Sequence, residues 1–197
     1  VRFVDDKRGM MKTIVFGGCG SERFAAKLAK RLRVPYGKPV VNYFPDGELK
    51  LKLPVTRVLK GKHVILVFSF QPYPDEVLIE ALFAIGAARQ LGARKVTLVA
   101  PYLGFLRQDK AFHPGEAMSN RIVADLLGRA DRVVTMDPHL HRIKNLNPIF
   151  RTKTTKLTAD DLIAAHLRKK HRNAIVMGPD EESSQWASDV AKKAGVQ

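Results

Sequence analysis

The chain has 197 residues, 45% of them hydrophobic, which excludes wholesale disorder and leaves room for one large domain or one and a fraction. Its 34 lysines and arginines against 19 acidic residues leave a formal net charge of +15, an excess that attracts polyanions: nucleic acid, acidic membrane or phosphorylated metabolites. One cysteine, Cys19, excludes a disulfide framework or a four-cysteine zinc site within one chain and fits a reducing, cytoplasmic setting, and no apolar run approaches the roughly 18 residues of a membrane span.

Residues 1–11 are mixed and charged, with a second methionine at Met11, and are read as a leader or cloning remnant, so the domain is expected to start near Lys12. Residues 13–18 predict a short strand ending in glycines. Residues 21–34 have helical spacing, with Phe24, Leu28 and Leu32 on one face and Ser21 as N-cap. Residues 38–44 predict a strand, 45–48 a turn, and 49–53 a strand that alternates with period two. Residues 63–70 are apolar enough for a fully buried parallel strand. A long helix follows over 74–93, a buried strand over 95–100, a helix over 115–130 and a strand over 132–137. Residues 161–171 predict a helix, 173–180 a strand and 183–195 a helix.

Strands alternating with helices imply an α/β fold: right-handed crossovers and a mainly parallel sheet covered on both faces. Residues 151–160 are polar and lack a core pattern, so a boundary is expected there. The reading is one α/β domain over 12–150 and the start of a second over 151–197, too small to bury a core alone.

Polar clusters fall where strands are expected to end, the edge at which open α/β sheets bind ligands. Arg107-Gln108-Asp109 is the first. Arginine supplies planar bidentate donors suited to phosphate, while Gln and Asp can read an amine; a surface-loop salt bridge is the plainer alternative. Asp137, His139 and His141, with Pro138 setting the turn, can approach one metal ion or one phosphate, or be a loop with incidental histidines. Asp180-Glu181-Glu182 can hold a divalent cation with phosphates, or simply favour the dipole of the next helix. Phe44-Pro45-Asp46-Gly47-Glu48 reads as an Asp-Gly hairpin turn, or as an aromatic face with two carboxylate acceptors for a base. The glycines at 17–20 match neither dinucleotide nor P-loop spacing and are read as a tight turn.

Taken in order, FPDGE, RQDKAFHPGEAMS, TMDPHLH and GPD resemble the ribose-phosphate diphosphokinase (phosphoribosyl pyrophosphate synthetase) family over Met11 to about Asp180. The PGE and DPHLH wording looks most like its archaeal-type branch. The resemblance implies two phosphoribosyltransferase-like α/β domains, the first binding ATP. It implies transfer of the diphosphoryl group of ATP to the anomeric hydroxyl of ribose 5-phosphate, with Mg²⁺, giving phosphoribosyl pyrophosphate and AMP for nucleotide biosynthesis. By resemblance, Phe44 stacks near the adenine, and Asp46 and Glu48 bind it from a neighbouring subunit of a homo-oligomer. Arg107, Gln108 and Asp109 line the ATP site. His139 lies beside Mg²⁺ and the phosphates, Asp180 touches metal or sugar, and these two carry catalysis; Asp137 is a further metal candidate. The family follows the Asp180 position with a glycine-containing stretch and an arginine, whereas this chain has EESSQWASDV. The family's basic catalytic loop and its acidic Gly-Thr sugar-phosphate loop are expected beyond Gln197, so the chain is read as truncated before them.

Two other functions fit parts of the sequence. One is a non-catalytic regulatory subunit of the same fold. The other is a basic nucleic-acid-binding α/β protein, against which the scattered placement of the Lys and Arg residues counts.

Overall fold

The computed structural model describes residues 12–54, 59–140 and 145–197, apart from the side chain of Glu182. The proposed leader at 1–11 and the candidate His141 lie outside the described residues. The chain divides into two units between Lys156 and Leu157.

The first unit is built on a six-stranded sheet in the order β2-β1-β5-β6-β7-β8. Its strands are β1 (Thr13–Gly17), β2 (Tyr36–Gly37), β5 (His63–Val67), β6 (Lys95–Ala100), β7 (Arg132–Met136) and β8 (Lys153–Leu157). Pairings β1–β2, β1–β5, β5–β6 and β6–β7 are parallel. Between β2 and β5 the chain leaves the sheet to form an antiparallel hairpin of β3 (Val40–Tyr43) and β4 (Leu49–Lys52). The single strand expected over 38–44 is therefore two short pieces in different sheets. Pro39 has no N–H to donate to a ladder, and the chain changes partners there.

The central strands bury both faces, as near-continuous apolar runs require. Ile14, Phe16, Val64, Leu66, Val96, Leu98 and Val133 point into the larger core, which α2 (Pro74–Gln90) and α3 (Ser119–Leu127) cover with Val77, Ala81, Ile85, Val123 and Leu127. Val15, Ile65 and Val67 point to the other face, against Ala25 and Ala29 of α1 (Glu22–Leu32). The period of two along β1 and β5 thus sorts alternate residues into two cores.

Helix α1 departs from the sequence expectation. Phe24 and Leu32 are 44% and 46% exposed, while Ala25 and Ala29 are buried. The cause is a close approach to β1: a Cβ on Gly17 would lie 2.5 Å from the Ala25 Cβ. A helix that near the sheet must present its smallest side chains. Ser21 makes no side-chain cap on α1; its hydroxyl instead accepts from Ser69 N at 2.8 Å, tying the loop after β1 to the loop after β5. Gly18 is required for a similar reason, since a Cβ there would stand 2.0 Å from the Phe68 ring.

Helix α3 begins at Ser119, four residues later than expected, because residues 115–118 carry a glycine at φ +88 and belong to the preceding loop. The polar stretch after 150 contains β8, which has no buried residue and flanks β7 at the sheet edge. An edge strand needs no apolar face, and its lysines discourage pairing with other chains. Its absence from the sequence reading follows from that polarity. Arg132 Nη1 donates to Thr155 Oγ1 at 3.2 Å, and Thr152 Oγ1 to the Ala130 carbonyl at 2.7 Å.

In the second unit α4 (Asp160–Lys170) and α5 (Ser184–Ala194) pair. Lys193 Nζ reaches Asp161 at 2.9 Å and Asp160 at 3.5 Å, and the Arg168 guanidinium donates to the Lys193 carbonyl. The strand expected over 173–180 is not formed. Val176 N donates to the Gln197 carbonyl at 2.7 Å, and Ile175 and Met177 are 66% and 83% exposed. A strand requires a ladder partner, and none lies beside this segment among the described residues. No helix of the described residues is long and apolar enough to cross a membrane.

Among the described residues of the larger unit, one ionisable side chain is buried. Glu80 on α2 is 4% exposed, and its Oε2 has no hydrogen-bond partner among the described residues. Burial pushes its pKa up, a hydrogen bond from the Cys19 backbone opposes this, and the neighbouring charges of Glu76 and Glu22 push it up further.

Two outcomes follow from this packing. Ala25→Leu should destabilise the fold by about 1–3 kcal/mol, because the added atoms meet Gly17; an unchanged midpoint in urea denaturation would mean α1 is not seated on β1. Glu80 keeps its proton to higher pH when folded than when unfolded, so it costs stability as pH rises above the ordinary 4.5. Glu80→Gln removes that cost while keeping an acceptor for Cys19 N–H. Its stability relative to wild type should therefore climb from pH 4 to pH 7, and parallel profiles would contradict the buried charge.

Candidate active site

Each βα connection in a parallel sheet leaves the sheet at the same edge. The loop after β6 and the loop after β7 therefore rise side by side, because those strands pair directly from Thr97–Arg132 to Ala100–Thr135. Met136 N donates to the Pro101 carbonyl at 3.3 Å and extends that pairing into the loops.

The loop after β6 carries Arg107, Gln108 and Asp109. It is anchored by Leu103 and Leu106, which are 3% and 4% exposed, so the polar residues next to them are thrown outward. Phe105 adopts φ +65, its ring edge-on to Phe70 with centroids 6.5 Å apart. Its carbonyl accepts from Ser119 Oγ at 3.1 Å. Arg107 is exposed, whereas Gln108 and Asp109 are half-buried. Asn120, at the start of α3, gives its N–H to the Gln108 carbonyl at 3.5 Å. Asn120 is 2% exposed and Thr135 at the end of β7 is 1% exposed; Asn120 Oδ1 and Thr135 Oγ1 have no partner among the described residues.

The loop after β7 carries Asp137 and His139. Asp137 has φ +41 and an exposed side chain; Pro138 is buried and His139 half-buried. The left-handed backbone at Asp137 is uncommon outside glycine and marks an over-determined turn at the strand end. The strand end that it follows lies beside the one that precedes the Arg107 loop because β6 pairs with β7, and through no feature of the local sequence.

Phe44, Asp46 and Glu48 sit on a different element, the β3–β4 hairpin. Gly47 has φ +89, and the turn closes through Phe44 N to the Glu48 carbonyl and Gly47 N to the Phe44 carbonyl, both at 2.9 Å. Asp46 Oδ1 accepts from Glu48 N at 3.1 Å, so one carboxylate oxygen serves the turn itself. Phe44 is 46% exposed, with Lys50 Nζ 5.5 Å from its ring centroid. The hairpin's Leu51 packs on the larger core, and Tyr43 lies near Glu80 and Glu76.

Asp180 belongs to the second unit. It caps the 3₁₀ turn Glu181–Ser183: its Oδ1 accepts from Ser183 N at 2.9 Å, and Ser183 Oγ donates back to the Asp180 carbonyl at 2.6 Å. The helix-start role weighed for this acidic run is thus filled by Asp180. Among the described residues, no group of three or more His, Cys, Asp or Glu is gathered as a metal site.

Sequence reasoning missed Glu116 as a member of this region. Its Oε2 accepts from Phe112 N at 2.7 Å and from Gln108 Nε2 at 3.4 Å, closing the loop on itself. The Pro-Gly preceding it, able to turn the chain back, was the available signal. Glu80 was missed too, because nothing in an apolar helix pattern singles out a buried carboxylate.

Comparison with known proteins agrees with this architecture. A family model described as the N-terminal domain of ribose phosphate pyrophosphokinase matches residues 13–130. A ribose-phosphate pyrophosphokinase of Methanobrevibacter smithii is 34% identical over 183 residues, covering 91% of this chain and 59% of that protein. One from Ralstonia nicotianae is 32% identical over 187 residues, covering 93% and 58% respectively. An archaeal and a bacterial relative thus stand at similar distance. The crystal structure of phosphoribosylpyrophosphate synthetase from Mycobacterium smegmatis superposes with a TM-score of 0.78 at 26% identity, over 93% of this chain and 61% of that one. The chain spans about three fifths of the length of these relatives. With the family model covering more than half of its residues, and with the sheet order and strand-end loops described above, this chain belongs to the ribose phosphate pyrophosphokinase family.

Proposed function

We propose that this chain carries the nucleotide-binding part of an enzyme that transfers the diphosphoryl group of ATP to the anomeric hydroxyl of ribose 5-phosphate. The observation that carries this reading is the pairing of β6 with β7. It brings a donor-rich loop (Arg107, Gln108) and an Asp/His loop (Asp137, His139) to one sheet edge. Diphosphoryl transfer asks little covalent help from a protein. It asks for in-line placement of sugar hydroxyl and phosphate, and for neutralisation of phosphate charge.

Arg107 is exposed and extends a planar fork suited to phosphate oxygens. Gln108 and Asp109 read the nucleotide beside it. His139 approaches the phosphates as a hydrogen-bond partner. Mg²⁺ prefers oxygen ligands, and one or two carboxylates with substrate phosphates suffice to hold it. Asp137 is the candidate ligand of the first unit; Asp180 is a separate candidate of the second, with one carboxylate oxygen already engaged in its cap. Bound there, the ion supplies charge neutralisation at the transferring phosphates.

Phe44, with nearly half its surface open, supplies a stacking face for adenine, and Asp46 and Glu48 supply acceptors for its amino group. Their position on a hairpin separate from the β6 and β7 loops supports use by a neighbouring subunit of a homo-oligomer. The enzyme works in the cytoplasm, where its phosphorylated substrates reside, and the +15 charge aids capture of both anions.

Arg107→Ala removes a charge-assisted phosphate contact and should weaken ATP binding about 10- to 100-fold in calorimetric titration with Mg²⁺; unaltered affinity would discard the site. Phe44→Ala should weaken ATP binding in the oligomer and leave a dilute monomer unaffected, and equal loss in both would refute sharing between subunits. In the full-length native product, AMP release with Mg²⁺, ATP and ribose 5-phosphate reports catalysis, whereas ATP binding there without release would identify a non-catalytic subunit of the same fold.

A further inference from the structure

We infer that Glu116 is a positioning residue that fixes which end of the Gln108 amide faces the ligand, and thereby selects a base carrying an exocyclic amine over one carrying a keto group. This rests on the nucleotide-binding reading of the β6 loop.

An amide side chain has a donor end and an acceptor end of nearly the same shape, so its readout depends on what pins it. Here the pin is one carboxylate oxygen. Glu116 Oε2 takes the Phe112 N–H at 2.7 Å, which holds the carboxylate against the loop backbone. The same oxygen lies 3.4 Å from Gln108 Nε2. A carboxylate offers only acceptors, so the Gln108 NH₂ must face it and Oε1 must face away. Main-chain bonds hold the same stretch of loop, since the Gln108 carbonyl takes the Asn120 N–H and the Phe105 carbonyl takes the Ser119 hydroxyl. Gly115, at φ +88, makes the turn that returns Glu116 to Gln108. Residues 115–120 therefore hold Gln108 by its side chain and its main chain together.

The consequence is chemical. With Oε1 outward, Gln108 presents a hydrogen-bond acceptor. A 6-amino purine satisfies it; a 6-keto purine sets oxygen against oxygen and leaves both unpaired, which sites built around a buried or half-buried polar group penalise. Without Glu116 the amide rotates freely and accepts either ring.

The test is calorimetric titration of the dilute monomer, in which no neighbouring subunit supplies Asp46 and Glu48, with ATP and with inosine triphosphate, each with Mg²⁺, in wild type, Glu116→Ala, Glu116→Gln and Gln108→Leu. Wild type should bind ATP about tenfold more tightly than inosine triphosphate, the value of one hydrogen bond exchanged for one unpaired acceptor. Glu116→Ala should bring that ratio close to one. Glu116→Gln should preserve it, because the Phe112 N–H pins the new amide's oxygen where Oε2 stood. Gln108→Leu should abolish it with Glu116 intact, which keeps the inference testable if Glu116→Ala is poorly folded. A ratio unchanged in Glu116→Ala or Gln108→Leu, a wild-type ratio near one, or a ratio lost in Glu116→Gln would overturn the role of Glu116 while leaving the nucleotide site standing. Binding of neither nucleotide by wild type would overturn the site reading, and this inference with it.

Discussion

Parallel pairing of β6 with β7 is the constraint on which the candidate site depends. Two segments about thirty residues apart in sequence become neighbours because Thr97 through Ala100 align with Arg132 through Thr135. Parallel strands cannot be joined by a tight hairpin, so α3 must carry the chain back between them, and both following loops emerge at one edge. The loop carrying Arg107, Gln108 and Asp109 and the loop carrying Asp137 and His139 inherit their shared sheet edge from that geometry. None of these side chains needs local sequence instruction beyond following a buried strand.

Close backbone approach is the second organising force. Gly17 and Gly18 are small because Ala25 and the Phe68 ring occupy the space their side chains would take. That approach seats α1 on the sheet through alanines and leaves Phe24 and Leu32 at the surface. It also spends Ser21 on a bond to the backbone of Ser69, away from the helix it precedes. The glycines after β1 thus have a packing explanation, and phosphate binding is not needed to account for Gly17 and Gly18.

Part of the basic excess sits at helix C-termini. Lys30 and Arg31 fall in the last turn of α1, Arg89 in that of α2, Arg168, Lys169 and Lys170 in that of α4, and Lys192 and Lys193 in that of α5. Cations at helix C-termini complement the macrodipole, a local stabilising role repeated around the molecule. Several are further engaged by acids or carbonyls, as Arg89 is by Asp131 at 2.8 Å and Lys193 by Asp161 at 2.9 Å. In the β6 loop the same economy of contacts recurs: Glu116, Ser119 and Asn120 each hold a group of the segment that faces outward.

The sequence alone determined the α/β class, the central strands and the position of the Arg107 and Asp137 clusters in the loops after β6 and β7. Those features are written in local patterns: unbroken apolar runs for β1, β5 and β6, helical spacing between them, and an Asp-Gly turn whose glycine takes φ +89. The tertiary structure alone decided which residues of α1 face the sheet, since that depends on how close β1 lies. It decided that β8 forms from a polar stretch, because an edge strand draws its order from β7 and not from burial. It decided that residues 173–180, apolar enough for a strand, stay irregular without a ladder partner among the described residues. And it alone joined Glu116 to Gln108, because a hydrogen bond across a turn depends on backbone dihedrals that residue types permit but do not dictate.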